Sequence, residues 1–201
     1  MIAEWRRQFG EPNLPFLIVQ LPEYANLWEG FYWPWIREMQ ARAVQSIPNT
    51  ALVVGIDTTD GFNLHPKEKL EIGRRAALLA RQVAYGEDLV ASGPAFQSAS
   101  VEGSSMRVRF DTEHDGLAST LSNGVAGFAL AGADGTYYFA KAGIEGDSVV
   151  VHAEEVPHPE TVRYAWGAVP QATLVNRSGL PAAPFRTDTL PCSNVELQKQ
   201  Q

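Results

Sequence analysis

The 201-residue chain has one cysteine, Cys192, close to its C-terminus. A disulfide within the chain, a CxxC redox pair and a thiolate zinc site are thereby excluded. Basic charge is also scarce. Lys and Arg number 16 against 23 Asp and Glu, giving a formal net charge of −7. Phosphate backbones are bound by clustered cations, so nucleic acid is not an expected partner. No apolar run approaches the roughly 20 residues that span a bilayer, so no membrane segment is expected. The opening run Met1-Ile2-Ala3-Glu4-Trp5-Arg6-Arg7 is charged and helical, and does not read as a signal peptide. His114, His152 and His158 lack metal-ligand spacing, so no metal site is expected. A neutral or acylated sugar remains compatible with all of these absences.

What is present falls into two rhythms. Up to about residue 90, helix and strand patterns alternate. Met1 to Phe9 reads as a helix stopped by Gly10. Phe16-Leu17-Ile18-Val19-Gln20-Leu21 and Ala51-Leu52-Val53-Val54-Gly55-Ile56 are short, nearly continuous apolar runs, as in strands buried on both faces of a parallel sheet. Between them a helix is expected to start at Pro34, with Ile36, Met39, Ala43 and Ile47 on its buried face. A third helix should start near Pro66 and end at Gly86, with Ile72, Ala76, Leu79 and Val83 inward. On its outer face Glu71 should pair with Lys67 and Arg75, each four residues away. This α-β-α-β-α order predicts part of a doubly wound α/β sheet.

After Asp88 the runs are short and rich in β-formers, as in Arg107-Val108-Arg109-Phe110 and Ser148-Val149-Val150-Val151. Turn signals separate them at Glu102-Gly103-Ser104, Asp115-Gly116, Asp134-Gly135 and Glu145-Gly146-Asp147. The spacing predicts a small antiparallel, sandwich-like β domain over residues 91–188, followed by a polar tail at 189–201.

The most informative stretch for chemistry is Asp57-Thr58-Thr59-Asp60-Gly61-Phe62-Asn63-Leu64-His65-Pro66. It leaves the carboxyl end of a predicted strand, where open α/β sheets bind their ligands. A histidine there can take a proton from a hydroxyl and return it to a leaving group. Asp60 and Asp57 are the candidates to orient it. The plainer alternative is that His65 caps the following helix while the aspartates bond to their own backbone. Trp28, Phe31, Tyr32, Trp33 and Trp35 form an aromatic cluster that suits either sugar stacking or packing over the sheet.

These segments resemble, in order, the sialate O-acetylesterases, carbohydrate esterases of the SGNH hydrolase class. Met1 to Arg7 resembles the helix after that family's third conserved block, and Phe16 to Leu21 resembles its next strand. Ile36-Arg37-Glu38-Met39-Gln40 is similar to the helix that follows. Asn49-Thr50-Ala51 through Asp57, with Leu64-His65-Pro66, resembles the last catalytic block. Val162-Arg163-Tyr164-Ala165-Trp166 and the run Gly179 to Asp188 resemble the C-terminal signature.

The resemblance implies a flavodoxin-like sheet and serine-esterase hydrolysis of acetyl esters on sugars, typically sialic acid. His65 would be the general base, with Asp60 beside it. Gln20, Trp33, Arg163 and Trp166 are the substrate-binding candidates, and no cofactor is implied. Family members are usually secreted, periplasmic or lysosomal. The chain departs from the pattern by placing Phe62 where SGNH enzymes carry an aspartate, three residues before the histidine. The serine, glycine and asparagine blocks have no counterpart here. Gly103-Ser104-Ser105 reads as a β-turn, and Ser92-Gly93 lacks the strand–turn–helix setting of a nucleophile elbow. The nucleophile is therefore expected from an upstream half of the enzyme. The competing expectation is a non-catalytic sugar-binding module or an inactive truncated product.

Overall fold

The computed structural model describes residues 1–25, 33–67 and 69–189. Helix α1 (Ile2–Phe9) ends at Gly10, whose left-handed backbone lets its N–H reach back to Arg6 and Arg7 carbonyls. Strand β1 (Phe16–Val19) then pairs in parallel with β2 (Thr50–Val53), Phe16 opposite Thr50 and Val19 opposite Val53. Helix α2 (Trp33–Ser46) connects the two strands, and α3 (Lys69–Tyr85) follows β2. The α-β-α-β-α order matches the sequence expectation. Among the described residues this sheet has two strands.

Both strands are shorter than the apolar runs that mark them. The paired register ends at Val19 and Val53, and the Gln20 N–H adds one last bond to Val53 O before the two segments part. Helix α3 buries Leu79 with Ile72 and Ala76 against Val53 and Ala91, as its periodicity predicts. Glu71 pairs with Arg75 as expected, and with Arg74 rather than Lys67, which precedes the helix. Helix α2 reverses the expected face. Ile36 and Met39 are 42% and 50% exposed, whereas Pro34, Trp35 and Arg37 are buried. A 3.6-residue period identifies a stripe, but which stripe turns inward is decided by tertiary partners. Here Trp35 packs edge-on to Trp166, and Arg37 reaches main-chain carbonyls.

Among the described residues all later elements are strands. A four-stranded antiparallel sheet contains β3 (Ala95–Glu102), β4 (Ser105–Asp111), β8 (Lys141–Glu145) and β9 (Ser148–His152), in the order β3-β4-β9-β8. A second is ordered β12-β10-β6-β7 and comprises β6 (Phe128–Ala131), β7 (Tyr138–Phe139), β10 (Thr161–Tyr164) and β12 (Phe185–Arg186). Strands β5 (Leu117–Ser119) and β11 (Leu174–Asn176) form a separate antiparallel pair. Alternate residues of β4, Met106, Val108 and Phe110, meet Phe128, Leu130, Val162 and Tyr164 in one core between the sheets.

Ile56, just beyond β2, is fully buried in that same core. The α/β part and the β-rich part are also tied by ion pairs. Arg186 binds Glu38 of α2 and Asp188, and Asp188 accepts from Arg163. No helix among the described residues is long and apolar enough to cross a membrane. Trp28, Phe31, Tyr32, Cys192 and the tail beyond Thr189 lie outside the described residues.

Candidate active site

Beyond β2, residues 54–67 form a loop over the carboxyl rim of the parallel pair, held by its own side chains. Thr58 Oγ1 donates to Gly55 O at 2.7 Å. Asp60 Oδ1 accepts from the Phe62 N–H at 3.0 Å, and Asn63 Oδ1 from the His65 N–H at 2.9 Å. Such Asx turns need short polar side chains at these positions. They give the loop a defined path without regular structure, and His65 emerges from it exposed to solvent. Among the described residues the imidazole has no hydrogen-bond partner, so both ring nitrogens are open to one.

The two aspartates differ in what they already bind. Asp57 is engaged through both oxygens: Arg75 Nη1 lies 2.6 Å from Oδ1 and Nη2 2.7 Å from Oδ2. Arg75 is buried and also donates to Val54 O at 2.8 Å. This bidentate pair anchors the start of the loop to α3. Asp60 is exposed and uses one oxygen on the Phe62 N–H.

Gln20 continues the ladder, its N–H donating to Val53 O at 2.9 Å. Its side chain is buried beneath the rim, with Nε2 on Arg37 O at 3.3 Å and Oε1 without a partner among the described residues. Trp33 donates its indole N–H to Pro22 O at 2.6 Å and tilts against Tyr24. Arg163 and Trp166 lie in the seam between β10 and α2. The Arg163 guanidinium is buried, 3.8 Å from the Tyr137 ring centroid and 2.7 Å from Asp188 Oδ2. Trp166 meets Trp35 edge-on, with the Arg186 guanidinium 5.2 Å from its ring centroid. The structure thus brings Gln20 and Trp33 to the segment beside the His65 loop. The hydrogen bonds and ring contacts of Arg163 and Trp166 are made within the seam.

No family model matches the chain. Over 112 residues it is 35% identical to the sialate O-acetylesterase of Rattus norvegicus, an alignment covering 47% of this chain and 21% of that protein. A crystal structure of a carbohydrate acetylesterase from Xanthomonas citri superposes with a TM-score of 0.89 at 41% identity, over 94% of this chain and 45% of that one. The chain is a relative of the sialate O-acetylesterases. It spans less than half the length of each of these two proteins.

For a sialate O-acetylesterase relative, two rim residues stand out that the sequence did not single out. Arg37 is wholly buried and donates to four main-chain carbonyls, those of Leu21, Pro22, Gly167 and Ala168. Burial lowers its pKa to about 10, opposed by the charge of Glu23. Glu23 is half-buried. Desolvation raises its carboxyl to about 7 despite Arg37, with Asp57 adding to the rise. Neither shows in sequence, because an arginine within a helix normally reads as an exposed one. Among the described residues no cluster of His, Cys, Asp and Glu could hold a metal ion.

Proposed function

We propose that this chain is the histidine-bearing portion of a carbohydrate O-acetylesterase of the SGNH type, with His65 as general base. One observation carries the reading: His65 stands exposed on the loop leaving the carboxyl end of β2, in a chain 41% identical to a carbohydrate acetylesterase over 94% of its length. We read β1 and β2 as the last two strands of a doubly wound sheet. The substrate is an acetylated sugar, sialic acid among the candidates.

In this reading a serine Oγ attacks the acetyl carbonyl carbon while His65 takes the hydroxyl proton. The tetrahedral oxyanion is held by donors on the serine-bearing segment. Its collapse releases the sugar oxygen, which receives the proton from His65, and leaves acetyl-serine. Water then attacks with His65 again as base, releasing acetate and regenerating the serine. Asp60 is the better orienting carboxylate, since Arg75 occupies both oxygens of Asp57 while Asp60 has one to spare. Trp33 borders the sugar, Gln20 supports the rim from beneath, and Arg163 and Trp166 support the wall behind it.

The nucleophile is supplied by sequence outside this chain. Two glycine-flanked serines within it are poorly suited: Ser104 lies in the β3–β4 turn, and Ser92 lies in the connection between α3 and β3, its carbonyl accepting from Asn176. Val19, Ile36 and Met39, each at least 42% exposed, offer the apolar surface on which the serine-bearing segment packs. A fluorophosphonate probe, which reacts with activated serines, tests this reading. The chain alone should remain unlabelled. Supplied with the upstream segment, that segment's serine should be labelled, and His65→Ala should suppress the labelling. Labelling of a serine within this chain would refute the assignment.

A further inference from the structure

The loop carrying His65 is held from the β-rich part of the molecule as well as from its own strand. The tie runs through one turn, residues 167–169, which follows Trp166. Arg37 fixes that turn from α2. Its Nη1 lies 2.6 Å from Gly167 O and its Nη2 3.0 Å from Ala168 O. The same guanidinium holds the segment leaving β1, with Nε 3.0 Å from Leu21 O and Nη2 2.6 Å from Pro22 O. A planar fork with five N–H donors in fixed geometry can serve all four carbonyls, whereas an ammonium has only three.

From there the contacts pass directly to the His65 loop. The Tyr24 N–H donates to Ala168 O at 3.1 Å, and the Ala25 N–H to Gly61 O at 2.6 Å. Thr59 Oγ1 donates to Glu23 O at 2.9 Å. Val169 closes the circuit. Its side chain lies over Gly61, where a Cβ would come within 2.7 Å of Val169 Cγ1 and where φ is +79°. Gly61 is thus required twice, by its backbone conformation and by the valine above it. It stands four residues before His65.

We propose that the turn 167–169, fixed by Arg37, is a positioning element for His65, so that the β-rich part helps to set the geometry of the catalytic loop. Its catalytic meaning rests on His65 being the base. Neither Arg37 nor Val169 touches the reacting atoms; both act through Gly61 and the 21–25 segment. The β-rich part is then a wall of the site, and separating it from the α/β part costs the loop its shape.

The test is NMR of the whole chain with ring-labelled histidine, comparing wild type with Arg37→Lys and Val169→Ala. The chain has four histidines, so His114, His152 and His158 serve as internal references within the β-rich part. The expected result is that the His65 ring cross-peak moves or broadens in both variants while the other three superpose on wild type. A His65 peak unchanged in Val169→Ala would overturn the proposal. So would a concerted shift of all four peaks in Arg37→Lys, since Arg37 would then act on the fold as a whole. Should Arg37→Lys fail to fold, Val169→Ala decides alone, because Val169 is 46% exposed and its truncation is mild. The spectra require no ester cleavage, so failure of this proposal and failure of the esterase reading are separate results.

Discussion

Glu23 carries an acid–base property that periodicity and motif leave unmarked. Burial raises its carboxyl from 4.5 to about 7 in the folded chain. Across that window the folded state keeps a proton that the unfolded state releases. Its contribution to stability is therefore fully present below about pH 4.5 and declines as pH rises toward 7. Glu23→Gln should flatten this slope. Melting temperatures of both proteins, measured from pH 4.5 to 7.5, should differ by an amount that grows with pH, the variant gaining on wild type. Parallel curves would remove Glu23 as the source. At this scale the sequence marks out the loop that carries Asp57, Asp60 and His65, because it follows an apolar strand and is a run of turn-forming residues. It does not reveal that Asp57 is committed to Arg75, a side chain from α3 eighteen residues away. Nor does it reveal that Arg37 is buried, since only the carbonyls it finds in the folded chain make an interior guanidinium tolerable.

Helix α3 was legible in sequence because one surface, the parallel pair with the Ala91 segment, receives its apolar stripe. Leu79 sits at the centre of that contact. Leu79→Ala should cost about 2–4 kcal/mol. Helix α2 was legible in position but not in orientation. The residues expected inward, Ile36 and Met39, are exposed, and the seam with β10 takes Trp35 and Arg37 instead. In this chain Met39→Ala should therefore change stability by no more than about 0.5 kcal/mol. Urea unfolding of the two variants checks both values, and a cost for Met39→Ala as large as that for Leu79→Ala would contradict the described face of α2. Strand ends were misjudged for a related reason. Val54, Gly55 and Ile56 are as apolar as the strand before them, yet they leave the ladder to enter the core of the β-rich part or to turn toward the site. Composition does not distinguish these destinations.

For the whole molecule, the change of rhythm near residue 90 was visible in the sequence, but the closeness of the two parts was not. Ile56 is shared with the β-rich core, Arg186 and Asp188 join β12 to α2 and β10, and the turn at 167–169 reaches the His65 loop. Each link joins residues far apart in the chain, so no local pattern announces it. On the proposed reading, this arrangement holds the histidine at the rim from two structural units. The decisive measurement for the proposed function is the rate of acetate release from an acetylated sugar by this chain assembled with the proposed serine-bearing segment, with and without His65→Ala. A loss on the order of 10²–10⁴-fold is expected, as for removal of a general base. An undiminished rate in His65→Ala would show that the histidine at this rim does not take the proton.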